Sequence, residues 1–236
     1  MRLHRFYTKE KIPAQGGFTI ADKALVNQLK NVFKLRTGDS VIVFNGDGQD
    51  NECVIEGFLK DELSLKIQAS IPSRFMPARE VWLCAAIVKK DNFEWIAEKA
   101  TELGVTRILP IVSERSEKKS LNMERLQKIV IEASEQSGRG DVPKIEPILK
   151  LEEGLEYLKS QAPGLQVVMF HTEGEIWQER AFNKDKSIAV FVGPEGGWSE
   201  REVELFHKDN VPVVCLGRQV LRAETAVVAI LARIVF

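Results

Sequence analysis

The stretch Ser187–Glu200, "SIAVFVGPEGGWSE", decides how this 236-residue chain is read. Its first part is an almost unbroken apolar run, as expected of a strand buried on both faces. Its end opens a helix-like segment, with Ser199 and Glu202 spaced as a capping box. Between them, Gly193-Pro194-Glu195-Gly196-Gly197 forms a turn in which backbone can approach a ligand closely, because glycine lacks a Cβ and tolerates positive φ. Strand, glycine turn and helix in succession are the repeating unit of a parallel α/β sheet.

Working outward, the same rhythm recurs. "VWLCAAIV" (81–88), "RILPIVS" (107–113), "LQVVMFHT" (165–172) and "VPVVCLG" (211–217) read as further buried strands. A helix over 92–103 places Phe93, Ile96, Ala97, Ala100 and Leu103 on one face and stops at Gly104. It also carries Glu94, Glu98 and Glu102 at i,i+4, a mildly unfavourable spacing for like charges that Lys90 and Lys99 can offset. A second helix over 122–138 turns Leu126, Ile129, Val130 and Ala133 inward and ends at Gly138. The last helix, "TAVVAILARIVF", has Arg233 as its single charge; apolar all round, it needs cover on every side, which a second subunit can give. Ser40–Gln68 differs: short alternating strands separated by "GDGQ" and "LKDE" indicate an antiparallel meander suited to a small barrel. The prolines of "SIPSRFMPARE" mark the linker, giving two domains, 1–72 and 73–236.

Composition narrows the function. With 44% hydrophobic and 28% charged residues the chain is an ordinary globular protein, and its net charge of −1 argues against indiscriminate coating of nucleic acid. Basic charge is concentrated at the N-terminal end, where Arg2, Arg5, Lys9 and Lys11 face one acid, Glu10. No apolar run reaches the roughly 18 to 20 residues of a membrane span, and the N-terminal segment lacks the apolar core of a signal peptide, so the cytoplasm is the expected compartment. Cys53, Cys84 and Cys215 lie far apart in apolar runs and read as buried thiols; with His4, His171 and His207 scattered as well, no metal site is expected.

The turn itself constrains the ligand. Its pattern, G-x-x-G-G, matches neither the dinucleotide nor the P-loop fingerprint, and Glu195 would repel a polyphosphate. A carboxylate suits a ribose hydroxyl, an amine or a cationic centre, and S-adenosylmethionine offers all three. A plain tight connection before a capped helix explains the turn equally well. Arg222, Glu224 and Thr225 crowd polar groups between an apolar strand ending at Gly217 and an apolar helix, where buried polar groups need partners; a structural salt bridge is the alternative reading.

"GPEGGWSEREVE", "LGRQVLRAETAVVAIL", "FEWIAEKATELGV", "RSEKKS", "IEASEQSGR" and the opening "MRLHRFY" together resemble the ribosomal RNA uridine N3-methyltransferases that act on 16S RNA, a family of the SPOUT superfamily. The resemblance runs the length of the chain in matching order, with Trp198 standing where phenylalanine is frequent. It implies a PUA-like β-barrel followed by a SPOUT-type α/β domain with a C-terminal trefoil knot, and a homodimer formed through the knot and C-terminal helix. It implies an S-adenosylmethionine site made by Phe170, His171, Thr172, Gly193, Pro194, Glu195, Gly196, Gly197, Leu216, Gly217, Val220, Leu221, Glu224, Thr225 and Ala226. Catalytic roles fall to Glu195, Arg222 and Arg218, and RNA contacts to Arg2, Arg5, Lys89, Lys90, Arg115 and Arg139, with Lys118 and Lys119 equally well read as solvated surface. The expected partner is 16S ribosomal RNA within the small subunit. Methylation of a ribose hydroxyl or another base, and an RNA-binding assembly factor with a decayed site, remain alternatives. A nucleotide-dependent oxidoreductase would need a glycine fingerprint that "VWLCAAIVKKDN" lacks.

Overall fold

A computed structural model describes residues 3–178, 183 and 185–236. The chain divides into two compact units, Met1–Met76 with Ser134–Val142, and Pro77–Ala133 with Pro143–Phe236.

The first unit is built on a five-stranded sheet. It contains β1 (Arg5–Tyr7), β2 (Gly17–Ile20), α1 (Lys23–Asn27), β3 (Ser40–Phe44), β4 (Gln49–Leu59) and β5 (Glu62–Pro72), in the sheet order β1-β3-β4-β5-β2. The meander β3–β4–β5 is antiparallel, as the alternation predicts; β2 joins it antiparallel on β5 and β1 parallel on β3. Alternate residues point to one face, so Val41 and Val43, Cys53 and Ile55, and Leu63 and Leu65 close over Phe6, Ile20, Leu25 and Leu29 as a core. Asp22 caps α1 by accepting from the Ala24 and Leu25 amides.

A division at 72/73 does not anticipate that Ser134–Val142 belongs with this sheet. Polar bonds hold the segment there. The Tyr7 amide donates to Glu135 Oε1 at 2.9 Å, and the Gly140 amide to the Phe75 carbonyl at 2.8 Å. Arg5 pairs with Asp50 and donates through Nη2 to the Arg139 carbonyl at 2.9 Å. Its guanidinium also lies over the Phe44 ring, and the Ser73 hydroxyl donates to Asp50 at 2.6 Å.

The second unit is a parallel α/β sheet. In chain order it contains β6 (Val81–Ala86), α2 (Lys90–Glu102), β7 (Arg107–Val112), α3 (Met123–Ser137, whose end counts with the first unit), β8 (Lys144–Ile145), β9 (Leu149–Lys150) and α4 (Leu151–Gln161). There follow β10 (Gln166–Ile176), β11 (Ile188–Val192), α5 (Glu200–Lys208), β12 (Val213–Cys215) and α6 (Ala223–Val235). The strand order is β12-β10-β11-β6-β7-β8, with β9 also beside β7, and every pairing is parallel. β6 and β11 are buried along their whole length, as continuous apolar runs require. On α2, Lys99 bonds Glu98 at 2.7 Å and Glu102 at 2.8 Å, which relieves part of the like-charge spacing. The chain builds outward from β6 to β7 and β8, then returns on the other side of β6 with β10, β11 and β12. Such a reversal leaves a crevice at the carboxyl ends of the strands, the usual place for a ligand in an open parallel sheet. No helix among the described residues is long and apolar enough to cross a membrane.

Candidate active site

Three chain segments, the bulged middle of β10, the turn after β11 and the stretch after β12, build one cavity with one face of α6. After β11, the Gly197 amide donates to the Pro194 carbonyl at 2.8 Å, closing a tight turn in which Gly197 has φ +68°. That is left-handed backbone, which glycine adopts without the Cβ clash other residues meet. The turn leads into α5 through a complete capping box: the Ser199 hydroxyl accepts the Glu202 amide at 3.2 Å, and Glu202 accepts the Ser199 amide at 2.8 Å. The tight-connection reading of "GPEGG" is thus satisfied, and the same turn also faces a cavity.

The second wall comes from an irregular pairing. β10 meets β12 at Phe170↔Val214 and again at Glu175↔Val214, so His171–Gly174 bulges out of the ladder between the two contacts. Gly174 makes this geometry feasible, since a Cβ there would lie 2.6 to 2.7 Å from the Val214 backbone. The sequence reads 165–172 as a strand; in the structure β10 runs on to Ile176, and 171–174 is a bulge inside it. Within it the Glu173 amide donates to His171 Nδ1 at 3.2 Å.

The cavity is lined by Phe170, His171, Thr172, Gly193, Pro194, Gly197, Leu216, Gly217, Leu221 and Ala226, all expected from the sequence. It is also lined by Val192, Trp198, Cys215, Gln219, Ala223 and Ile230, which were not. Val192 and Cys215 are the last residues of their strands, and Ala223, Ala226 and Ile230 share a helix face at spacings of three and four, so their position follows from elements already readable. Glu195, Gly196, Val220, Glu224 and Thr225 stand outside this lining. Glu195 and Gly196 are exposed at the tip of the turn, and Val220 is 80% exposed.

The charged groups expected at the site stand outside the lining. Arg218 and Arg222 are exposed, and neither has an ion-pair partner among the described residues. The salt bridge between Arg222 and Glu224, the alternative explanation of their proximity, does not form. Glu224 instead lies in the first turn of α6 with Oε2 buried and without a hydrogen-bond partner among the described residues.

Of the positions expected to meet RNA, Arg2 and the side chain of Lys90 lie outside the described residues. Lys89, Lys118 and Lys119 are exposed, Lys89 standing 4.0 Å from Glu117. Arg115 is exposed too, but its Nη1 donates to the Gly196 carbonyl at 2.8 Å. Arg5 and Arg139 correct the expectation. Both are buried in the first unit, and Arg139 is 1% exposed with its guanidinium bonded to Asp141. Their charge is spent on protein partners because Asp50 and Asp141, distant in sequence or across a turn, come to meet them.

The family model described as "RNA methyltransferase domain" matches residues 76–235. The chain belongs to this family. It resembles a protein of Rickettsia conorii named ribosomal RNA small subunit methyltransferase E, with 30% identity covering 99% of this chain and 96% of the relative. A protein of the same name from Bacillus subtilis is 31% identical over 93% of this chain and 90% of its own length. Among solved structures, the ribosomal RNA small subunit methyltransferase E of Neisseria gonorrhoeae bound to S-adenosyl methionine is 28% identical and superposes with a TM-score of 0.87, covering 98% of this chain and 96% of that one. Family membership therefore extends over both units, since these relatives match the first unit as well as the second.

Proposed function

We propose that this chain transfers a methyl group from S-adenosylmethionine to N3 of a uridine in 16S ribosomal RNA of the small ribosomal subunit. The observation that carries the reading is the cavity built by the bulge of β10, the turn after β11 and the stretch after β12. Its chemistry suits the cofactor: Phe170, Leu216, Leu221, Ala226 and Ile230 offer apolar surface for an adenine. Gly197 and Gly217 line the cavity and an added Cβ at either would meet open space, so no side chain stands between their backbone and a ligand there. Among the described residues no lysine or arginine lines it, as a phosphate-free ligand permits.

The bound cofactor supplies an electrophilic methyl group on a sulfonium. What the protein must add is position and proton management. The uracil N3 carries a proton and becomes nucleophilic only as that proton leaves, so a base or donors to the two flanking carbonyl oxygens are needed. Glu195, exposed at the turn beside the cavity, takes the base role, and Arg218 and Arg222, exposed and without ion-pair partners among the described residues, stabilise charge on the uracil oxygens. Lys89, Lys118 and Lys119 offer phosphate contacts, which position the RNA without reading its sequence. The reading also includes a PUA-like first domain, a trefoil knot in the second and a cytoplasmic homodimer. Support for the dimer is α6, an apolar helix followed by Phe236 at 82% exposure.

Methyl transfer from labelled S-adenosylmethionine to small subunits and to naked 16S RNA, both from cells lacking this gene, tests the proposal. Nucleoside mass analysis should show 3-methyluridine. A methylated ribose or another methylated base would keep the cofactor and overturn the acceptor; cofactor binding with no transfer would overturn the RNA target, and RNA binding without cofactor binding would point to an assembly factor with a decayed site.

A further inference from the structure

Two side chains that this chemistry leaves unused tie the glycine turn to another segment of the second unit. Glu202 is buried, and its carboxylate reaches beyond its own helix. Oε2 accepts the Ser113 hydroxyl at 3.2 Å besides the Ser199 amide, and Oε1 accepts the Glu114 amide at 3.0 Å. Ser113 and Glu114 follow β7, and β6 lies between β7 and β11, so one carboxylate spans the carboxyl end of an intervening strand. Arg115 completes the link through its bond to the Gly196 carbonyl, with its own amide braced 3.3 Å from the Ser113 hydroxyl.

The bonded carbonyl belongs to the peptide joining Gly196 to Gly197. The N–H of that same peptide is held by Pro194, so the unit is gripped at both ends. Two successive glycines have more backbone freedom to lose than any other pair, and a binding turn left free pays for ordering when the ligand arrives. Resting on the cofactor reading of the cavity, we propose that Arg115 and Glu202 are positioning residues that pre-order the Gly193–Gly197 turn for S-adenosylmethionine, and that Arg115 acts in this way before any RNA is bound.

An arginine that contacts RNA affects RNA binding alone, whereas one that orders the turn affects the cofactor with no RNA present. Calorimetric titration of S-adenosylmethionine into the wild-type chain, Arg115→Ala, Arg115→Lys and Glu202→Gln, all without RNA, separates the two. Arg115→Ala should bind roughly three- to tenfold more weakly, the worth of one hydrogen bond, with its thermal midpoint unchanged because the side chain is exposed. Arg115→Lys, which still offers a donor, should recover part of the loss. Glu202→Gln keeps one oxygen for the Ser199 amide but presents an NH2 to the Glu114 amide, so it should preserve the cap and weaken cofactor binding in the same direction. Faster hydrogen exchange at the Gly197 amide in Arg115→Ala is expected as well. Wild-type affinity in Arg115→Ala together with weakened RNA binding would overturn the proposal and return Arg115 to the RNA contacts; a wild-type chain that does not bind S-adenosylmethionine would overturn the cofactor reading itself.

Discussion

Arg139 holds Asp141 with two hydrogen bonds, Nε to Oδ1 at 2.9 Å and Nη2 to Oδ2 at 2.7 Å, while its own carbonyl accepts from Arg5. The Arg5 bond ties the turn after α3 to the first unit, and the pair with Asp141 stiffens that turn. Arg139→Ala removes a buried guanidinium and leaves Asp141 and its surroundings to reorganise, which should cost roughly 3 kcal/mol in urea unfolding. At a temperature where the variant is folded, the salt dependence of RNA binding should keep its wild-type slope, because a buried arginine releases no counterions. Unchanged stability with a flatter slope would return Arg139 to the RNA surface.

The parts of the fold that were legible are those whose signal is local. Continuous apolar runs announced β6, β11 and β12, Gly193 and Gly217 marked the ends of the last two, and Ser199 with Glu202 announced α5. α4 was not readable from "LEEGLEYLKSQ", since Gly154 interrupts a short acidic helix. The glycine is there for packing: a Cβ would lie 2.7 Å from Ile111 Cδ1 on β7. The bulge at His171–Gly174 was hidden because it exists only through two pairings with β12, a strand far along the chain. Arg5 and Arg139 looked like surface cations because sequence shows their charge but not the carboxylates that fold against them.

Glu146 makes stability depend on acid. Its carboxylate bonds Arg107 at 2.6 Å, the Tyr157 hydroxyl at 2.8 Å and Lys144 at 2.9 Å. Burial alone would raise its pKa, but the bonds from Lys144, Arg107 and Tyr157 outweigh it and hold the group below the usual 4.5. A carboxyl depressed in the folded state stabilises above its unfolded pKa, and that contribution fades as pH falls from about 4.5 through the lower folded value. Glu146→Gln should therefore be less stable than wild type at pH 7, with the difference shrinking as the solution is acidified below that range. A difference independent of pH would assign the loss to packing.

Gly197 combines open space with φ +68°. Gly197→Ala meets no neighbour, so its cost is backbone strain of about 1 kcal/mol, seen as a lower thermal midpoint. Gly197→Arg sends a long side chain from the cavity wall and should abolish S-adenosylmethionine binding in calorimetry while the protein stays folded. Wild-type affinity in the arginine variant would remove this turn from the cofactor site.

Gly174 tests whether the bulge builds the cavity. An alanine Cβ would press on the Cα, N and C atoms of Val214, and backbone cannot swing aside as a side chain does. Overpacking of this kind costs roughly 1 to 3 kcal/mol, and the strain falls on the seam between β10 and β12. Because His171 and Thr172 stand on the bulge and Cys215 and Leu216 on the far side of that seam, opening it moves two of the three cavity walls apart. Gly174→Ala should bind S-adenosylmethionine at least tenfold more weakly, more than its loss of stability alone would cause at a temperature where both proteins are fully folded. If affinity is retained while the thermal midpoint drops, the bulge serves the sheet and not the cofactor, and the cavity must be held by the turn after β11 and the segment after β12.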